Sequence, residues 1–294
     1  MIHEKELANG VSLPAVGLGT WKLGENVEET IRMVQEAVKY GYRRIDTAAG
    51  YRNEEAIGTA LKNCGIARKD LFLTTKIDDI NHAYLDAKQA VYKALERLKT
   101  DYLDLCLIHS PNSKRMWDYA KTHRYDRYDY RRKLNGQAWK ALCELQQEGV
   151  IRGAGVSNFS ICHIEEIVKE TKIYPLFNQI KLCVGCYPLQ KDIIDYCRRH
   201  QIQVEAYRPL GRGEVAKLLC VQKLAEKYQM TPYQAGLHFL WQENICSIPK
   251  ASKSEHLIDN LKSYEIMFTE EEMDKLRRVL VEEKWAEVKN PDIF

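Results

Sequence analysis

The chain of 294 residues is 45% hydrophobic and carries a formal net charge of only +3 at pH 7. Its length suits either two ordinary domains or one α/β barrel, and its apolar share is enough for a sizeable core. So mild a positive charge gives no support for a nucleic-acid-binding protein. Because the N-terminal stretch lacks the pattern of a secretion signal and no segment approaches about eighteen consecutive apolar residues, we expect a cytoplasmic protein that does not enter a membrane.

The first predicted element is a β-hairpin, because two short alternating runs flank Asn9 and Gly10, a pair typical of a tight turn. Eight strand-like runs then alternate with helical patterns, which predicts parallel strands. The runs are VGLG, RRID, LFLTTK, LDLCLIH, IRGAGVS, PLFNQI, IQVEAY and ICSIPK. An open doubly wound sheet would normally carry G-x-G-x-x-G after its first strand, and VGLGTWKLGENVEE does not fit. We therefore predict one domain over residues 1–294, a (β/α)8 TIM barrel whose floor is closed by the hairpin.

Ionisable residues close several of these strand-like runs. Asp46, Lys76 and His109 end RRID, LFLTTK and LDLCLIH, and Tyr51 follows shortly after the first of them. Active sites of such barrels lie on the rim formed by the carboxyl ends of the strands. The pattern therefore predicts a proton-donating site at that rim.

Seven segments, in chain order, resemble the signature segments of the aldo-keto reductase family. They are IDTAAGYRNE, LTTK, LIHSP, GVSNF, FNQI, AYRPLG and IPK, and the resemblance extends from GTWK near the start to PDIF at the end. It implies a (β/α)8 barrel that binds a nicotinamide dinucleotide without a Rossmann motif and reduces aldehydes or ketones to alcohols. It also implies a monomer.

The chemistry of carbonyl reduction explains why four polar residues are needed. Hydride addition leaves negative charge on oxygen, so a proton donor must lie within hydrogen-bonding reach, and Tyr51 is the candidate. We expect Lys76 to lower the pKa of the phenol, Asp46 to hold Lys76, and His109 to orient the carbonyl oxygen. All four match the family's catalytic tetrad. The competing interpretation is an Asp46–Lys76 salt bridge, a helix-starting Tyr51 and an ordinary buried His109.

The resemblance also assigns cofactor contacts. Ser157, Asn158 and Gln179 would bind the nicotinamide carboxamide, and Tyr207 would stack on the nicotinamide ring. The loop PLGRG offers backbone amides suited to a pyrophosphate. The other predicted cofactor residues are Gly19, Thr20, Arg208, Leu210, Lys250, Ser252, His256 and Asn260.

Two positions after IPK leave the cofactor preference open. The family usually has Ser where this chain has Ala251, and an Arg that grips the adenosine 2′-phosphate where this chain has His256. An imidazole is a poorer phosphate partner than a guanidinium. Lys250, Ser252 and Lys253 remain to bind the phosphate, so we favour NADP(H) and keep NAD(H) as the alternative.

Predicted substrate contacts lie at Trp21, Ser110 and Trp117. Many relatives have a Trp at the position of Ser110, so the pocket should be roomier. Residues 110–136 are predicted as an extended rim loop, and residues 114–135 within it contain eight Lys or Arg, four Tyr and Trp117. This loop is either a substrate lid or a solvated helical excursion, and a patch for RNA is a minor third interpretation.

The nine cysteines favour reduced thiols over a disulfide framework, because most stand in apolar helix- or strand-like contexts. Cys183, Cys186, Cys197 and His200 have a spacing that superficially resembles a zinc site. Cys197 and His200 fall in a helical pattern that lies outside the barrel in the family, so we predict no metal. A redox role for the Cys183–Cys186 pair stays open.

Two functions from different classes fit the sequence. The first is an NAD(P)H-dependent reductase of small carbonyl compounds, without nucleic-acid or membrane partners. The second is a nucleotide-binding sensor or scaffold protein with little turnover. The intact set Asp46, Tyr51, Lys76 and His109 favours the reductase.

Overall fold

The computed structural model describes residues 4–262 and 266–280, so the C-terminal PDIF lies outside the described residues. Eight parallel strands pair in chain order to form one sheet. They are β3 (Leu18–Gly19), β4 (Arg44–Asp46), β5 (Phe72–Ile77), β6 (Leu105–Ile108), β7 (Ala154–Ser157), β8 (Phe177–Lys181), β9 (Gln203–Tyr207) and β10 (Cys246–Ile248). A parallel bridge between Val16 and Ser247 joins the two ends of the sheet. The predicted (β/α)8 barrel is confirmed.

The N-terminal hairpin packs against the amino ends of the barrel strands. Strands β1 (Glu4–Glu6) and β2 (Ser12–Pro14) are antiparallel, and Gly10 adopts a φ of 78° in the turn between them. Glycine takes this left-handed conformation without the steric cost that a side chain would add. The hairpin buries Leu7 and Leu13 in one cluster with the first residues of several barrel strands. These residues are Phe72, Leu105, Phe177 and Cys246. The predicted floor is confirmed.

Helices surround the barrel and connect its strands. They are α1 (Val27–Lys39), α2 (Glu54–Lys62), α3 (Tyr84–Leu98), α4 (Lys114–Thr122), α5 (Arg127–Gln147), α6 (Ile161–Thr171), α7 (Tyr187–Arg199), α8 (Leu219–Lys227), α9 (Pro232–Gln242), α10 (Ser254–Leu261) and α11 (Glu270–Arg277). Each of the longer ones buries an apolar face, as Met33, Val34 and Ala37 of α1 do. The barrel therefore has a core on both sides of its strands.

The segment after His109, expected as an extended loop, is mostly helical. Ser113 caps α4 by accepting a hydrogen bond from the N–H of Met116, and Asp126 caps α5 in the same way. Four aromatic rings of this segment lie nearly parallel, with centroids 3.9–6.0 Å apart between neighbours. The rings belong to Tyr119, His123, Tyr125 and Tyr130. The backbone is thus that of a helical excursion between β6 and β7.

Because His82 is buried near the rim, we expect the free energy of unfolding to depend on pH. His82 is 1% exposed, and burial lowers its pKa from 6.5 to about 4. Between these two pH values the unfolded chain binds a proton that the folded chain does not, so stability falls as the pH drops through this window. We expect His82 to account for up to roughly 3 kcal/mol of that loss.

Chemical denaturation at a series of pH values checks this expectation. The free energy of unfolding of His82→Gln should decline less than that of the unaltered protein between about pH 6.5 and pH 4. Above about pH 7, the difference between the two proteins should not change with pH. Parallel pH profiles of the two proteins across the acidic window would contradict the assignment.

Candidate active site

The carboxyl rim of the barrel brings the four predicted catalytic residues together. Asp46 is the last residue of β4, Lys76 lies near the end of β5, and His109 directly follows β6. Tyr51 ends a short 3₁₀ turn, Ala49–Tyr51, immediately after β4. Phe72 belongs to the cluster at the floor of the barrel and therefore faces its interior. Side chains alternate between the two faces of a strand, so Thr74 and Lys76 face the interior as well.

Lys76 occupies the centre of this group. Its Nζ donates to Asp46 Oδ1 at 2.5 Å and to the carbonyl oxygen of Thr47 at 2.9 Å, and lies 3.5 Å from Tyr51 Oη. The side chains of Lys76 and Asp46 are buried. The ring of His109 meets the ring of Tyr51 edge-on, with centroids 5.6 Å apart. A carboxylate, an ammonium and a phenol thus form one hydrogen-bonded series beside an imidazole.

Electrostatics keeps Lys76 charged. Burial is the largest single influence and would lower the pKa of its ammonium, but Asp46, Tyr51 and Glu205 together outweigh that effect, and the pKa is raised overall. An isolated buried lysine would tend to lose its proton. The ion pair with Asp46 therefore preserves a cation next to the phenol.

The pKa of Tyr51 moves in the opposite direction from the one we expected. Burial raises the pKa of the phenol above 10.0, and the charge of Lys76 offsets this only in part. The expected net lowering is therefore wrong for this structure, because removal from water outweighs the nearby cation. At neutral pH, Tyr51 is a protonated phenol that has a proton to donate.

These residues open onto a cavity of about 370 Å³. Its walls include three of the four predicted catalytic residues and most of the residues predicted to bind cofactor or substrate. They are Gly19, Thr20, Trp21, Asp46, Tyr51, His109, Ser157, Asn158, Gln179, Tyr207, Arg208 and Lys250. A second cavity of about 600 Å³, larger than this one, lies near Leu7 and Ile245 on the hairpin side of the barrel. Size alone therefore does not identify the site, and the cluster of chemically active groups does.

Hydrogen bonds fix the polar groups at the base of the cavity. Gln179 Nε2 donates to Asp46 Oδ2 at 2.8 Å and to Glu205 Oε2 at 2.7 Å, which leaves the amide oxygen as an acceptor. Tyr207 donates its hydroxyl proton to Asn158 Oδ1 at 2.8 Å. Asn158 in turn donates to the backbone oxygen of His109 at 3.0 Å. The amides and the phenol hold one another in place.

The sequence patterns did not identify several residues of the site. Gly50 and Ile248 line the cavity. Glu205 and Arg44 form a fully buried ion pair below it, and burial raises the pKa of the Glu205 carboxyl although Arg44 opposes the rise. The available signal was the presence of charged residues inside two apolar strand runs, RRID and IQVEAY. A charge at such a position requires a partner.

Other predicted contacts lie away from the cavity walls. Ser110 donates its hydroxyl proton to the backbone oxygen of Asn112 at 2.8 Å, and the ring of Trp117 packs edge-on against Tyr128. The remaining predicted cofactor residues are Leu210, Ser252, His256 and Asn260, none of which is among the cavity-lining residues. The predicted roles of all these residues stay predictions.

The cysteine-rich segment after β8 places two thiols side by side. Cys183 Sγ lies 3.4 Å from Cys186 Sγ, and both side chains are buried. His200, by contrast, stacks on Tyr174 at a centroid distance of 4.5 Å. Within residues 4–262 and 266–280, no group of three or more His, Cys, Asp or Glu side chains is arranged to hold a metal ion. The structure therefore offers no support for the zinc spacing.

The helices of the described residues include none that is long and apolar enough to cross a membrane.

Comparison with known proteins yields consistent matches. The model of the Aldo/keto reductase family matches residues 15–281. The glyoxal reductase of Bacillus subtilis is 37% identical over 289 residues, which cover 98% of this chain and 95% of that protein. The methylglyoxal reductase DkgA of Escherichia coli is 34% identical over 278 residues, covering 93% and 92% of the two chains.

Solved structures with a similar fold come from the same kind of protein as the relatives found by sequence. A mutant of Gox0644 crystallised with NADPH superposes with a TM-score of 0.83 at 30% identity, covering 96% of this chain and 95% of that one. An aldo/keto reductase from Brucella melitensis gives a TM-score of 0.84 at 29% identity, covering 95% and 100%. Sequence and fold thus point to the same family.

Proposed function

The chain belongs to the aldo/keto reductase family, and from this membership we propose that it reduces small aldehydes or ketones to alcohols with NADPH, using Tyr51 as the proton donor. The relatives named as glyoxal and methylglyoxal reductases support small dicarbonyl compounds as substrates. The observation that carries the proposal is the series Asp46–Lys76–Tyr51, which opens beside His109 onto the cavity.

The residues of the cavity suit a nicotinamide dinucleotide. The free amide oxygen of Gln179 is an acceptor of the kind that a carboxamide NH₂ requires, and the ring of Tyr207 offers a flat aromatic wall. The cations of Arg208 and Lys250 lie at the same cavity and suit phosphate groups. When bound, the reduced nicotinamide supplies the hydride.

The protein's own groups manage the developing charge and the proton. As hydride reaches the carbonyl carbon, electrons move to the carbonyl oxygen, and the Tyr51 hydroxyl donates its proton there. Lys76 stabilises the resulting phenolate electrostatically, and Asp46 keeps the ammonium in position. His109 orients the carbonyl oxygen by a hydrogen bond. Oxidation of the alcohol by the reverse route should be favoured at higher pH.

An absorbance assay tests this function directly. Purified protein is mixed with NADPH and with glyoxal, methylglyoxal or a panel of other aldehydes and ketones, and the loss of reduced cofactor is followed. Turnover of at least one small carbonyl compound is expected. Tight NADPH binding without turnover of any of them would favour a nucleotide-binding sensor or scaffold instead.

The preference between NADPH and NADH depends on the groups around the adenosine 2′-phosphate. His256 is largely exposed, with its side chain 58% accessible, so it tolerates substitution. We expect NADPH to bind more tightly than NADH, and His256→Arg to tighten NADPH about tenfold while hardly affecting NADH, because a guanidinium forms bidentate bonds to phosphate.

Titration of protein fluorescence with each cofactor at matched salt measures these affinities. His256→Gln is the control, since it changes the side chain without adding a cation. An equal gain for NADPH and NADH in His256→Arg, or no gain for either, would show that position 256 does not face the 2′-phosphate.

A further inference from the structure

Asp78 and His109 emerge side by side from two paired strands. Strands β5 and β6 pair Lys76 with Leu107 and Ile77 with Ile108, so the next residues along the two strands are Asp78 and His109. The N–H of His109 still donates to the oxygen of Ile77 at 3.1 Å, which continues the ladder to this point. Because side chains alternate along a strand, Asp78 follows Lys76 on the inward face.

The carboxylate of Asp78 lies next to residues that line the cavity. Its Oδ1 is 3.6 Å from His109 Nδ1. A Cβ atom placed on Gly50 would come within 2.8 Å of the same oxygen, so the carboxylate packs directly over the backbone next to Tyr51. Gly50, Tyr51 and His109 all line the cavity. Asp78 is therefore adjacent to His109 and to the residue that precedes Tyr51.

The Asp78 carboxylate lacks a lysine or arginine partner in the part of the chain that the structure describes. The Asp78 side chain is 27% exposed, and among the residues that the structure describes no Lys or Arg forms an ion pair with it. Two other acids near the rim differ in this respect. Asp46 is paired with Lys76 and Glu54 with Arg97.

The two cations among the cavity-lining residues, those of Arg208 and Lys250, lie on another part of the wall. The guanidinium of Arg208 lies over the ring of Trp21 at 5.3 Å, and Lys250 donates to the backbone oxygen of Lys22 at 3.1 Å. Both contacts are made to the loop that follows β3. Strand β3 pairs with β4 and not with β5 or β6, so this loop is separated from the strands that carry Asp78 and His109. The side of the cavity formed by His109 thus has a negative charge directly behind it.

We propose that Asp78 is a specificity-determining residue, which favours carbonyl substrates bearing a positively charged group near the carbonyl and disfavours those bearing a carboxylate. The proposal rests on the proposed reductase function and names the charge class that its pocket accepts. A unit charge a few ångströms from the carboxylate, in a partly solvated cavity, should change kcat/KM by about tenfold or more. Neutral substrates such as small dicarbonyls are not excluded.

Three para-substituted benzaldehydes test the proposal because they differ mainly in charge. They carry a trimethylammonium group, the neutral tert-butyl group of the same shape, or a carboxylate. For each protein, kcat and KM of the charged aldehydes are divided by those of the neutral one. Asp78→Asn should reduce the preference for the cation over the anion by about tenfold or more, mainly through KM.

Asp79→Asn is the matched control, because Asp79 lies in the same turn and lacks the contact with His109. It should retain the charge preference of the unaltered protein. Asp78→Ser provides a second variant without the carboxylate if Asp78→Asn does not fold.

The outcomes separate this inference from the function on which it rests. If the unaltered protein reduces none of the three aldehydes and no other carbonyl compound, the proposed function fails. If it reduces the neutral aldehyde and the charge preference is the same with and without the Asp78 carboxylate, the function stands and the role of Asp78 is overturned.

Discussion

Tyr51→Phe is expected to lower kcat for carbonyl reduction by roughly a thousandfold, because it removes the only proposed proton donor and leaves the ring in place. The lost hydroxyl lies 3.5 Å from Lys76 Nζ, and its pKa is raised by burial, so it is protonated at neutral pH. No other phenol forms a hydrogen bond with Lys76 among the described residues. The rate is measured under saturating cofactor and substrate.

Cofactor binding distinguishes lost chemistry from lost structure in this experiment. The fluorescence titration with NADPH should give nearly the same affinity for Tyr51→Phe as for the unaltered protein. Tyr196→Phe is the matched control, since it removes a hydroxyl that donates to Glu165 Oε1 between the outer helices α7 and α6. Its kcat should change less than twofold or so. Full activity in Tyr51→Phe would overturn the assignment of the donor.

Arg44→Met is expected to destabilise the protein by about 3 to 5 kcal/mol, because it leaves the Glu205 carboxylate unpaired in the barrel interior. Both side chains of this ion pair have no exposed surface. The guanidinium also lies over the rings of Phe72 and Phe177 at 5.5 and 5.6 Å. Loss of the cation therefore removes packing as well as charge.

Urea denaturation followed by circular dichroism measures this loss. Arg32→Met is the control, since Arg32 pairs with Glu36 on the exposed surface of α1. An exposed helical pair contributes only about 0.3 to 0.5 kcal/mol. Similar effects of the two substitutions would mean that Glu205 is protonated or relieved by water, and that its pairing with Arg44 contributes little.

Local sequence patterns were sufficient to predict the barrel and the placement of its four central residues. Strand-like runs recur around the whole chain, and Asp46, Lys76 and His109 end three of them, so parallel pairing alone brings them to one rim. The hairpin around Asn9 and Gly10 follows from turn chemistry. These features depend on residues close together in the sequence.

Features that depend on long-range burial were not predictable in this way. Arg44 and Glu205 are 161 residues apart, and only the closed barrel shows that they neutralise each other. The pKa of Tyr51 depends on how much water the folded protein removes from the phenol, which no motif records. Asp78 follows Lys76 by two residues, and only the register of β5 and β6 places it beside His109.

The structure of the rim segment after His109 was also hard to predict, because it depends on long-range packing. Basic and aromatic composition was compatible with either a substrate lid or a solvated helical excursion, and the segment forms α4 and the start of α5. Trp117 packs against Tyr128 within that excursion. Composition fixes neither the direction of a helix nor the neighbours of its side chains.

The hydrogen-bonded series inside the barrel has a consequence for redesigning the enzyme. Arg44, Glu205, Gln179, Asp46 and Lys76 are linked in that order, and every one of them belongs to a strand. Two cations and two carboxylates on either side of a neutral amide balance one another within the scaffold. The rim connections can therefore be exchanged between relatives to create new selectivities, while the charge-balanced scaffold that supports the proposed proton donor is inherited unchanged.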